Sequence, residues 1–119
     1  MSKNILIIDN DKNFSQALSE RLKACEFTSA GIISGAQFFQ IATKFMPDTL
    51  ILSTNLTHPS WTELIERIKQ SQTISKIDKI ILLTNEITVA TTHQAKIHKI
   101  HKILQKPIKF KELHQILQQ

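Results

Sequence analysis

The chain has very little of what staples, bends or loosens a polypeptide: one cysteine, two glycines and three prolines in 119 residues. A lone Cys25 excludes an internal disulfide, so the fold must rest on its apolar core. Cys25 falls within a helical pattern, where the simplest role is that of a small core residue rather than a reactive thiol. Such cysteine usage suits a reducing compartment, and a cytoplasmic protein is expected. The scarcity of glycine and proline excludes a long flexible linker. No apolar run approaches the roughly 20 residues of a membrane span. The N-terminal MSKNILIIDND holds an apolar stretch only from Ile5 to Ile8, with carboxylates directly after it, which is too short for a secretory leader. No contact with a membrane is expected.

What is present is ordinary for a globular domain, with 41% hydrophobic and 21% charged residues. The length predicts one domain, 1–119, able to bury roughly two thirds of its unfolded surface. Acidic residues are in the minority, 10 against 15 lysines and arginines, for a net charge of +5. That balance favours acidic partners, protein or nucleic acid, without choosing between them.

Two kinds of segment alternate along the chain. Ile5–Ile8 is a solid apolar run, as expected of a strand buried on both faces. Phe14, Ala17, Leu18, Leu22 and Cys25 then form a helical stripe. FTSAGI (27–32) predicts a weaker strand and SGAQFFQIATKF (34–45) a helix burying Phe38, Phe39, Ile41, Ala42 and Phe45. Thr49–Leu52 predicts a third strand. SWTELIERIKQS (60–71) predicts a helix with Ser60 as N-cap and Glu63 completing a capping box. KIILLT (79–84) is a fourth strand, 88–99 a weaker helix, 102–104 a short fifth strand, and KFKELHQIL (109–117) a closing helix. Five strand–helix units imply an α/β fold: a doubly wound parallel sheet of flavodoxin-like (βα)5 type, strand order 2-1-3-4-5. Ligands in such sheets bind at the carboxyl edge. That edge should carry Asp9, Asn10 and Asp11 after the first strand, Ser53 after the third, Thr84 after the fourth and Lys106 after the fifth.

ILIIDND, GAQFFQIATKFMPDTLILS, IILLT and ILQKPI together resemble the receiver domain of bacterial response regulators, over essentially the whole chain. PDTLIL and the Lys106-Pro107 dipeptide are the most specific parts. In that family an aspartate ending the third strand accepts a phosphoryl group from a histidine kinase. Two acids after the first strand join it in holding Mg²⁺, and a lysine and a Thr/Ser hydroxyl bind the phosphoryl oxygens. The resemblance places Asp9 on the first acid, Thr84 on the hydroxyl residue and Lys106 on the lysine, with Lys106–Pro107 expected cis. Asn10 falls on the second acid and is neutral. Ser53 falls on the phosphoacceptor. The aromatic switch position holds Ile103, Lys99 and Ile100 replace a usual Gly-Ala, and Thr57 and His58 replace a usual Pro-Gly.

Serine is a weak nucleophile without a neighbouring base, and its phosphate ester would not clear itself. We therefore expect a degenerate receiver that is not an enzyme, with weak or absent Mg²⁺ binding and Asp9 and Asp11 as the remaining weak metal candidates. Asp11 reads more simply as a helix N-cap. Lys106 with Asp9 reads as a structural ion pair or as an anion site, and Thr84 as a strand-end hydroxyl. Ser53 is a poor kinase substrate inside a crevice. Trp61 reads as core or as an interaction residue.

HQAKIHKIHKILQK (93–106) is rich in lysine and histidine but lacks the cysteine or carboxylate company of a metal site. It reads as a solvated basic face or as a docking surface. The resemblance places partner docking on the fourth helix, fifth strand and fifth helix, which makes Lys96, Lys99, His101 and Lys102 candidates for an acidic protein of a two-component pathway, or for homodimer formation. Nucleic acid is a weaker partner, since no aromatic interleaving supports it. The competing functions are a phosphorylation-independent interaction module, a working phosphorelay receiver with an unusual acceptor, and a nucleic-acid binder.

Overall fold

A computed structural model describes residues 3–71 and 76–119. Five parallel strands lie in the order β2-β1-β3-β4-β5: β1 is Asn4–Ile8, β2 Thr28–Ile32, β3 Thr49–Ser53, β4 Lys79–Thr84 and β5 Lys102–Gln105. The helices are α1 Lys12–Ala24, α2 Phe38–Phe45, α3 Trp61–Gln70, α4 Val89–Ile97 and α5 Phe110–Leu117. Among the described residues no helix is long and apolar enough to cross a membrane.

The unbroken apolar runs follow from burial on both faces. Leu6 and Ile8 of β1, Leu50 and Leu52 of β3 and Leu82 of β4 pack with Phe38, Ala42, Trp61, Leu64, Ile65, Ile68 and Ala95. Their alternates Ile5, Ile7, Ile51, Ile81 and Leu83 pack on the other face with Leu18 and Leu22 of α1 and Leu113, Ile116 and Leu117 of α5. The register sets Ile7 beside Ile51 and Ile51 beside Ile81. Lys79, buried at the start of β4, donates to the backbone oxygens of Ile116 (2.9 Å), in the last turn of α5, and Gln119 (3.0 Å), just beyond it. Burial, and then the nearby charge of Lys3, push its amine below the usual lysine range.

Several expectations need correction. The helix expected over 34–45 is two elements, a 3₁₀ turn at Gly35–Gln37 and then α2. Gly35 lies so close to the α3 entry that a Cβ there would come 3.0 Å from Pro59 and 3.1 Å from Leu64. Ala17 is exposed, and Cys25 is a half-buried C-cap rather than a core residue. Ser60 does cap α3, accepting from the Glu63 N–H (3.3 Å). The Glu63 carboxylate pairs with Arg67 instead of closing the box.

Three helices end in the left-handed region on residues with a Cβ: Glu26 (φ 70), Met46 (φ 52) and Lys99 (φ 57), while neither glycine has positive φ. After α4 the Lys99 N–H donates to Lys96 O and the Ile100 N–H to Ala95 O; after α1 Glu26 and Phe27 repeat the pattern toward Lys23 and Leu22. These are paired C-terminal caps that normally favour glycine. A Cβ there costs about 1–2 kcal/mol, whereas glycine loosens the unfolded chain by about 0.4–1 kcal/mol. Lys99→Gly and Glu26→Gly should each stabilise the fold by about 0.5–1 kcal/mol. The check is the urea midpoint. A fall in both variants would mean that the two side chains make contacts worth more than the strain they carry.

Candidate functional site

The carboxyl ends of β1, β3 and β5 converge on one carboxylate. Asp9 directly follows β1 and is fully buried. Its Oδ1 accepts from Asn55 Nδ2 (2.8 Å) and from the Asp11 N–H (2.8 Å), and its Oδ2 from Lys106 Nζ (2.6 Å). Burial alone would raise the Asp9 carboxyl. The hydrogen bonds from Asn55, Lys106 and Asp11 and the charge of Lys106 outweigh burial and hold it below the usual carboxylate range. Lys106 is aimed by its position after β5, where its N–H donates to Thr84 O (2.8 Å) ahead of a cis Lys106–Pro107 bond. A second cis bond, His58–Pro59, precedes α3. The Lys106 ammonium also lies 4.4 Å from the centre of the Phe14 ring and 3.4 Å from Ser53 Oγ.

Asn55 was not legible as a site residue, yet it ties the loops together. Besides holding Asp9, its Oδ1 accepts from the Asn10 N–H (3.1 Å), and its own N–H lies 3.4 Å from Ser53 Oγ. The only hint in the sequence is an amide two residues beyond a strand end.

The other expected residues divide. Ser53 is buried at the end of β3 within reach of Lys106. Asn10 is exposed, its amide donating to Asn55 O (3.2 Å). Asp11 caps α1, accepting from the Phe14 N–H (3.2 Å). Thr84 sits at the same edge but bonds elsewhere: its hydroxyl donates to Glu86 O (2.9 Å) and accepts from Thr54 Oγ1 (3.2 Å). Ile103 is half-buried on β5, opposite Leu82.

Lys96, Lys99, His101 and Lys102 are all exposed around α4 and β5. The three histidines of 93–106 do not form one face. His93 and His101 are exposed, but His98 is buried edge-on against Trp61, ring centres 5.8 Å apart. Trp61 is thus a core residue. Among the described residues no group of three or more His, Cys, Asp or Glu side chains is placed to hold a metal ion.

Residues 5–118 match the family described as the response regulator receiver domain. Among curated proteins, "Probable transcriptional regulator ycf29" of Porphyra purpurea is 28% identical over 88 residues, 74% of this chain. The match spans 42% of that protein's own length. A chemotaxis response regulator of Vibrio cholerae superposes with a TM-score of 0.85 at 21% identity, covering 99% of this chain and 98% of that one. A receiver domain protein of Methanospirillum hungatei gives 0.86 at 15% identity, covering 99% and 92%. At these identities the structural likeness establishes the fold.

The Asp9–Lys106 pair has a stability consequence with a defined sign. The folded Asp9 carboxyl ionises at lower pH than in the unfolded chain, where its pKa is about 3.9. The stabilisation is fully present above that unfolded value and is lost as pH falls through the folded one. Asp9→Asn should therefore lose less stability than the native chain on going from about pH 4 to pH 2. Urea titrations across that range measure the difference; equal losses would remove Asp9 from the acid limb. Lys106→Met leaves a buried carboxylate without its counter-charge and should cost about 3 kcal/mol at pH 7.

Proposed function

The chain belongs to the response regulator receiver domain family, and we propose that it serves two-component signalling as a protein-interaction module that works without phosphoryl transfer to residue 53. The observation that carries this is the closed contact of Asp9 with Lys106 at 2.6 Å, beside a serine. In this family the lysine would bind phosphoryl oxygens on an aspartate at that place.

The donor set is a poor fit for Mg²⁺. That ion favours carboxylate oxygens in near-octahedral geometry and keeps several waters. Here Asp9 is the one carboxylate at the strand ends with both oxygens turned inward, and both already accept from protein donors. Asn10 supplies an exposed amide, Ser53 a neutral hydroxyl, and Asp11 is committed to its cap. The hydrogen-bond partners of Ser53 Oγ among the described residues are the Lys106 ammonium and the Asn55 N–H, both donors, and the oxygens of Asp9 are already taken up by donors of their own. Neither can take the hydroxyl proton, so the serine lacks the general base a nucleophile needs.

Receiver domains act by binding proteins of their pathway, and the partner proposed here is an acidic protein surface. The exposed Lys96, Lys99, His101 and Lys102 support that choice, since charge steers encounter and selects partners. A second copy meeting across the α4-β5-α5 face is the competing occupant, and concentration-dependent sedimentation distinguishes it.

The test is amide NMR of the native chain titrated with Mg²⁺ and then with beryllofluoride, a phosphoryl mimic. Resonances of Asp9, Ser53, Thr84 and Lys106 are expected to stay in place. The double variant Asn10→Asp with Ser53→Asp restores the carboxylates and should respond, which shows that the fold can report the ligand. Coordinated shifts in the native chain that spread to α4 would overturn the proposal and favour a working receiver with an unusual acceptor.

A further inference from the structure

We infer that the groove between α1 and the start of α5 binds a small amphipathic carboxylate, an apolar body with one anionic end. The groove measures about 510 Å³, with walls from Phe14, Ala17 and Leu18 on one side and Pro107, Ile108 and Phe110 on the other. That volume falls within the range of small-molecule pockets, which combine apolar walls with a few placed polar groups. The polar groups here are Arg21, Asn85 and Lys106.

The two cations are not equivalent. Lys106 is neutralised by Asp9 at 2.6 Å. Arg21 pairs with no carboxylate among the described residues, whose ion pairs are Arg67–Glu63 and Lys106–Asp9. Its guanidinium instead lies 4.2 Å from the centre of the Phe110 ring. Phe110 stacks on His114 (5.9 Å), which meets Phe27 edge-on (5.8 Å). The arginine is therefore held over a supported aromatic surface before any anion arrives. Its planar fork of N–H donors matches a carboxylate in two-point contact, and little side-chain freedom is left to lose.

Charge and shape select this occupant over larger ones. A helix lying in a groove needs a row of depressions at helical spacing, and here there is one apolar hollow beside one uncompensated cation. Of a second copy's most exposed apolar side chains, Val89 and Ile97 share α4 with Lys96, with Lys99 just beyond, and Met46 lies two residues from Lys44, so each would meet Arg21 with like charge; Ile33 and Ile87 are less than half exposed. Lys106 borders both this groove and Ser53, but the cation assigned to the anion is Arg21.

Octanoate is the probe, with octanol as its uncharged counterpart, followed by amide NMR on the full chain. Octanoate should give saturable shifts at Phe14, Ala17, Arg21, Ile108 and Phe110, and octanol weaker ones. Arg21→Gln should weaken octanoate binding about tenfold or more, the loss of a charge-assisted two-point contact. Ala17→Trp fills the groove and should abolish the shifts. Because Ala17 is exposed, its unfolding midpoint should match that of the native chain. Equal binding of octanol overturns the anionic end of the proposal. Shifts that survive in Ala17→Trp, or that centre on Val89 and Ile97, place the probe elsewhere and overturn the site. The absence of any saturable shift with octanoate, or a response only to an acidic helical peptide, overturns the ligand class.

Discussion

A carboxylate with no exposed surface must be answered from every side, and much of the carboxyl edge of this sheet is arranged to answer Asp9. An unpaired buried charge is costly enough that the group would rather shift its protonation than stay ionised. Asp9 stays ionised because three donors from three segments reach it: the N-cap of α1, the loop after β3 and the residue after β5. β1 and β5 are separated in the sheet by β3 and β4, so the ion pair spans the edge and joins the first strand–helix unit to the last. Ser53 lies under the Lys106 ammonium, and Phe14 lies against it. The geometry of the edge is thus that of a closed electrostatic contact rather than an open cradle.

Much of the fold was legible because burial on both faces leaves a strong mark. Ile5–Ile8, Leu50–Leu52 and Ile80–Leu83 can hardly be anything but central strands, and their positions bring Asp9, Ser53 and Lys106 together. What escaped depends on contacts rather than pattern. Asn55 is a polar residue in a loop, like many others, and only the folded chain shows its amide bridging Asp9 and Asn10. Thr84 stands where expected, but its hydroxyl serves the turn to Glu86. His98 shares its spacing with two exposed histidines and differs only in meeting Trp61. Gly35 suited a helix start in the sequence, and close packing against Pro59 made it a tight turn.

The shortage of glycine has a price in backbone geometry. Glu26, Met46 and Lys99 close their helices in a conformation that side chains avoid. The packing that follows two of them supplies compensation: Phe27, after Glu26, joins the α1–α5 side of the core and Ile100, after Lys99, the opposite side. Local preference is overruled there by tertiary contacts, as elements that end against a core allow.

One further consequence belongs to α4. Of its nine residues only Ala95 is buried, and Val89 is 89% exposed. The helix is anchored chiefly at its end, through Ala95 and the caps that follow. Segments with so little buried apolar area open at a small fraction of the global unfolding free energy. α4 is therefore an element whose amides should exchange with solvent ahead of the sheet, and Lys96 of the basic face rides on it. Few buried contacts stand behind that helix, so a load placed on it is borne mainly by Ala95 and its caps.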